Sequence, residues 1–158
     1  MFPNAKVITV DINPLNTELG DNITVIKNNA TNVEFLSTLN TFDIIWDDGS
    51  HDPNDQIKSF EYLFKNKLKE NGLYIIEDLE HSYQSWWKKD NNQINFFNYI
   101  SKLVNSINSK TSHTKATNKG PLKHNPDYYT ENLFNISLYP QIVCFTKRKN
   151  IEPKCLIF

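Results

Sequence analysis

Two apolar runs that each stop at a pair of acids constrain this chain more than any other feature: residues 42–51, FDIIWDDGSH, and residues 72–78, GLYIIED. Short uninterrupted apolar runs bounded by turn residues read as strands buried on both faces, the kind found in parallel, helix-covered sheets. In such sheets ligands bind in the crevice beyond the carboxyl ends of the strands. Two neighbouring strands ending together would bring Asp47, Asp48, Glu77 and Asp78 to the floor of one site.

The flanking segments fit that architecture. Residues 6–10, KVITV, read as a strand ending at Asp11 and the Asn13-Pro14 turn, and residues 23–26 repeat the pattern before a polar loop at Asn28-Asn29. Residues 33–39 read as a short helix. Pro53 opens a longer one, because its missing N–H costs nothing in a first turn, and Ile57, Phe60, Leu63, Phe64 and Leu68 recur at helical spacing. Gly72 is expected to cap that helix and residues 73–76 to form the fourth strand. Residues 93–107 place Ile94, Phe97, Ile100, Leu103, Val104 and Ile107 on one helical stripe. Residues 108–130 turn polar and are expected to form a mobile insertion or lid. Residues 134–139 and 142–147 flank Pro140-Gln141 as an antiparallel hairpin. The fold class is α/β, a mostly parallel sheet with a C-terminal antiparallel hairpin, in one domain over 1–158.

Composition narrows the function. The 158 residues carry 17 bases against 18 acids, a formal charge of −1. No basic excess exists to bind a nucleic-acid backbone or an anionic membrane, so neither is an expected partner. Cys144 and Cys155 have neither metal-type nor disulfide-framework spacing, which points to a reducing, cytoplasmic setting. No secretory leader and no apolar run of membrane-spanning length is expected.

Three carboxylates crowded together repel one another and resist ionisation unless a divalent cation neutralises them, and oxygen-only ligands suit Mg²⁺. Such an ion lowers the pKa of a hydroxyl, and His51, beyond Asp48 across Gly49, is placed to accept the proton. Each residue also has a plainer reading. Asp47 and Asp48 before Gly49 can simply make a turn, Glu77 and Asp78 can serve a following helix dipole, His51 can be a hydrogen-bonded structural residue, and Asp11 can close a turn. His81, His113 and His124 read as surface or substrate-loop residues, and Tyr83, Trp86 and Trp87 as packing or an acceptor floor.

The segments FPNAKVITVDINP, FDIIWDDGSH, LKENGLYIIEDLEHSY and ISLYPQIVCFTKR, in this order and spacing, resemble the class I S-adenosylmethionine-dependent methyltransferases. The resemblance is to the metal-dependent macrolide-sugar O-methyltransferases of the mycinamicin and macrocin type, and it covers nearly the whole chain. It implies a Rossmann-like fold, Mg²⁺ held by Asp48, Glu77 and Asp78, and His51 as general base. S-adenosylmethionine would be held by Asp11, Asn29 and Asp47, and a hydroxyl of a sugar or similar small molecule would be the acceptor. Two departures accompany it. Asn28-Asn29-Ala30 stands where the family has Gly-Asp-Gln. The family's first strand and glycine-rich turn have no counterpart, so the chain reads as N-terminally truncated. The strands at 6–10 and 42–46 would then pair directly or leave a gap, to be completed by a second copy, a partner chain or an upstream segment, or else open to aggregation. The alternative reading is a non-catalytic remnant acting as a binding or assembly module. A third is metal-dependent hydrolysis, with a water as nucleophile and no methyl donor.

Overall fold

A computed structural model of the chain describes residues 4–14, 19–84, 94–109 and 126–151. It divides into two compact units, Met1–Asn40 and Thr41–Phe158, and the described strands form two sheets.

In the first unit, β1 (Val7–Asp11) and β2 (Ile23–Lys27) pair in parallel, Val7 opposite Ile23 through Asp11 opposite Lys27. The β-branched residues of both strands favour this pleated conformation. Helix α1 (Val33–Thr38) starts at Asn32, whose side chain accepts from the amides of Glu34 and Phe35, and it buries Leu36. An amide side chain at this position satisfies two of the helix's orphan donors.

The second unit contains β3 (Phe42–Asp47), α2 (Pro53–Asn66), β4 (Leu68–Ile76), a 3-10 turn (Leu79–Tyr83), α3 (Phe96–Asn108), α4 (Tyr128–Asn132), β5 (Leu133–Tyr139) and β6 (Ile142–Lys147). Its sheet has the order β3-β4-β6-β5. The β3–β4 pair is parallel, as a strand–helix–strand unit requires, and β6 runs antiparallel to both β4 and β5. The β5–β6 hairpin turns through Pro140, with Gln141 at φ 64°. Strand β1 belongs to the sheet of the first unit and β3 to that of the second.

Helix α2 begins as its sequence predicts. Asp52 accepts from the amides of Asn54 and Asp55, Pro53 occupies the first turn, and Gln56, Ser59, Phe60, Leu63 and Phe64 form the buried face. Phe60, fully buried, sits at the centre of an aromatic cluster, with ring centroids 4.4 Å from Phe145, 5.0 Å from Phe64, 5.2 Å from Tyr74 and 5.8 Å from Tyr129. Each such pair contributes about 0.5–1.5 kcal/mol beyond its area burial.

The end of α2 differs from expectation. Gly72 does not cap the helix; the helix ends at Asn66 with Lys67 at its C-cap position and β4 begins at Leu68, so Gly72 lies inside the strand. The cap comes from far along the chain. Lys147, on β6 and only 8% exposed, donates from Nζ to the carbonyls of Phe64 and Leu68 at 2.8 Å and of Lys65 at 3.0 Å. A cation at a helix C-terminus meets the negative end of the dipole and satisfies carbonyls that have no partner within the helix. Gly72 has another task. In the bulge where Lys69–Gly72 face the single residue Asp43, Asn71 adopts φ 62°, and a Cβ on Gly72 would lie 2.8 Å from the Lys69 carbonyl. Lys69 closes the bulge with an ion pair to Asp43 at 2.9 Å.

Helix α3 is also turned relative to the predicted stripe. It starts at Phe96, capped by Asn95, and buries Phe96, Tyr99, Ile100, Leu103 and Ser106, whereas Ile94 and Val104 are exposed and Phe97 and Ile107 half-buried. Residue 93, where the sequence places its start, lies outside the described residues. Of the expected insertion at 108–130, residues 110–125 lie outside the described residues and 128–130 begin α4, whose Asp127 cap also accepts from Ser106 Oγ at 2.7 Å. No helix among the described residues is long and apolar enough to cross a membrane.

Candidate metal and acid–base site

The parallel β3–β4 ladder sets the site. Asp47 stands opposite Ile76, and the Glu77 amide donates to the Asp47 carbonyl at 3.2 Å, so both strands release their acids at the same end. Strand alternation then sorts the side chains: Asp48 is exposed, while Asp47 faces the opposite way. Helix α2 fixes the second strand's exit, since Gln56 Nε2 donates to the Glu77 carbonyl at 3.0 Å.

The loop after β3 returns His51 over this end. Its Nε2 lies 3.4 Å from Asp78 Oδ2 and 3.8 Å from Asp48 Oδ1. One ligand atom from each of Asp48, His51 and Asp78 lies within 4.8 Å of the others. Both His51, at φ 55°, and Asp78, at φ 56°, occupy the left-handed region. Histidine and aspartate are enriched there among non-glycine residues, yet the conformation costs free energy that the surrounding structure must offset.

Glu77 stands beside this group rather than among the three closest ligand atoms. Its pKa is raised, first by lost hydration and also by the hydrogen bond and charge of Asp48 and the charge of Asp78, against a hydrogen bond from the Trp46 indole. Like charges at close range make each carboxylate harder to ionise. The donor set therefore fits a hard divalent cation, which would relieve that repulsion.

Asp47 has different surroundings. Tyr74 donates its hydroxyl to Asp47 Oδ2 at 3.2 Å, and burial raises the Asp47 pKa to about 6 despite that bond, the Gly49 amide and the nearby His51 charge. A carboxyl whose folded-state pKa exceeds its unfolded value contributes stability that is full at low pH and is lost as pH rises through the folded pKa. In metal-free protein, Asp47→Asn should match the parent near pH 4 and be the more stable above about pH 6, by at most about 3 kcal/mol for a shift from 3.8 to about 6. Urea unfolding at the two pH values checks this, and equal stability at both would contradict it.

Asp11 and Asn29 belong to the first unit and are described by their own surroundings. Asp11 Oδ1 accepts from the Asn13 amide at 2.6 Å, and Asn29 Oδ1 accepts from the amide and hydroxyl of Thr31 at 2.8 Å. These are Asx turns, which such residues make readily. Tyr83 is exposed and stacks on Phe97 with centroids 5.1 Å apart. Trp86, Trp87, His113, His124 and Cys155 lie outside the described residues. His81 is neither a surface nor a loop histidine: it is half-buried in the 3-10 turn, stacked on His51 with centroids 5.1 Å apart. Its place beside an acid pair was the only signal in the sequence.

A parallel strand–helix–strand pair with acids at its carboxyl end, extended by an antiparallel hairpin, gives the chain a Rossmann-like α/β fold that it shares with solved methyltransferase structures. The particular likeness is to MycE, a methyltransferase from the mycinamycin biosynthetic pathway. Its structure in complex with Mg and SAH matches with a TM-score of 0.76 and 23% identity, over 94% of this chain and 38% of that one. A second crystal form gives 0.77 and 24% over 96% of this chain and 39% of that one. The complex with Mg, SAH and mycinamycin VI gives 0.74 and 24% over 94% and 38%. In sequence, the chain is 33% identical over 86 residues to the 8-demethyl-8-(2-methoxy-alpha-L-rhamnosyl)-tetracenomycin-C 3'-O-methyltransferase of Streptomyces olivaceus, over 52% of this chain and 22% of that one. No family model matches. The chain thus spans less than two fifths of the length of these relatives.

Proposed function

We propose that this chain carries the metal and acid–base half of an S-adenosylmethionine-dependent O-methyltransferase acting on a hydroxyl of a sugar or similar small molecule. The observation that carries the reading is the convergence of Asp48, His51 and Asp78 at the carboxyl ends of two adjacent parallel strands. Its support is the fold shared with a protein solved with Mg and SAH in two crystal forms, and the acceptor class is proposed from the names of the relatives.

Asp48 and Asp78, with Glu77 beside them, would hold Mg²⁺; Asp11, Asn29 and Asp47 are assigned to the methyl donor. When bound, the ion offsets the carboxylate charge and lowers the pKa of a hydroxyl, and S-adenosylmethionine supplies an electrophilic methyl group. His51 Nε2, 3.8 Å from Asp48 Oδ1 and 3.4 Å from Asp78 Oδ2, would accept the hydroxyl proton.

The second reading, a non-catalytic binding or assembly module, draws on the use of Asp11 and Asn29 side-chain oxygens in turns. Calorimetry of the chain with S-adenosylmethionine, with and without Mg²⁺, separates the two. Micromolar binding, roughly −8 kcal/mol, strengthened by Mg²⁺ is the expected result for the enzyme. A folded sample that takes up neither donor nor ion would favour the module.

A further inference from the structure

A histidine that exchanges protons is ordinarily fixed by a hydrogen bond to its second ring nitrogen, which sets both tautomer and ring plane. His51 has no such bond: its Nδ1 is buried without a hydrogen-bond partner among the described residues. Nor does the local backbone hold it, since φ 55° is a conformation the surroundings must impose. The terminal torsion of an imidazole is broad and two-fold, so something else must keep Nε2 directed at Asp48 and Asp78.

His81 is what lies against the ring. The two imidazoles stack with centroids 5.1 Å apart and an interplanar angle of 16°. His81 is itself well anchored. Its Nδ1 lies 3.0 Å from the Asp78 carbonyl and its amide donates to the same oxygen at 3.4 Å. The 3-10 turn that carries it begins at the fully buried Leu79, whose amide donates to the Gln141 carbonyl of the hairpin at 3.2 Å. One residue, Asp78, therefore connects the two: its carboxylate faces His51 Nε2 and its carbonyl holds His81.

We propose that His81 is a positioning residue, whose ring face replaces the missing hydrogen bond and sets the plane of the His51 imidazole. It acts through His51 and need not touch the reacting atoms. The proposal rests on the reading of His51 as proton acceptor, but its test has a readout independent of turnover.

The test compares His81→Ala and His81→Phe with the parent chain. The side-chain ¹H–¹⁵N resonances of His51 are assigned by their loss in His51→Asn. In His81→Ala they should shift and broaden, kcat should fall by about 10- to 100-fold, as loss of an orienting partner does, and Mg²⁺ affinity and KM should hold. His81→Phe keeps a flat ring without nitrogens and should restore the parent resonances and most of kcat. Unchanged His51 resonances and kcat in His81→Ala would overturn the proposal. If His81→Ala fails to fold, His81→Phe decides: parent-like His51 resonances uphold the role of the ring face, and displaced ones in a folded protein overturn it. If the parent chain methylates no acceptor, the methyl-transfer reading falls while the resonances still judge the positioning role.

Discussion

Asp78→Asn should weaken Mg²⁺ binding by about 100-fold, roughly 2.7 kcal/mol, while leaving the chain folded. Asparagine tolerates the left-handed backbone that Asp78 adopts at φ 56°, so the variant removes charge without adding strain. It also removes one of the like charges that raise the Glu77 pKa, and the metal-free variant should therefore be at least as stable as the parent. Calorimetric titration with Mg²⁺ and urea unfolding in chelator measure the two effects. Unchanged Mg²⁺ affinity would exclude Asp78 as a ligand, whereas a joint loss of stability and affinity would make its role structural.

His51→Asn should lower methyl transfer by about 10²- to 10⁴-fold, the usual contribution of a positioned general base. Asparagine is chosen over alanine because His51 sits at φ 55°. Donor binding should be spared, since Nε2 faces the carboxylates. Single-turnover transfer from radiolabelled donor, alongside calorimetry of donor binding, separates proton removal from binding. Transfer at the parent rate would rule out His51 as the base.

Several elements are written plainly in local sequence. The β-branched runs of β1, β2 and β3 form strands, Pro53 and the Phe60-Leu63-Phe64 spacing form α2, and Pro140-Gln141 turns the hairpin. Where the reading went astray, a distant partner decided. Gly72 looked like the stop for α2 because glycine commonly ends helices, but Lys147 supplies that stop from more than seventy residues along the chain. The apolar residues of α3 extend around much of its circumference, so periodicity alone, which rightly selects Ile100 and Leu103, also selects Phe97 and Val104 in place of Phe96 and Tyr99. The ring of Tyr99, centroid 6.1 Å from Phe60, marks the face turned toward the aromatic core.

The same division holds at the site. The sequence by itself determined which residues end β3 and β4 and that acids stand there, because strand propensity and the polar break that ends a buried run are local properties. Only the tertiary structure decided how those acids differ. Asp47 turns toward Tyr74 and is pushed toward pH 6 by burial, Asp48 and Asp78 face His51, and Glu77 lies between their charges and Trp46. The stacking of His81 on His51 likewise belongs to no motif, since it depends on two loops leaving adjacent strands with the left-handed turns that bring their rings face to face.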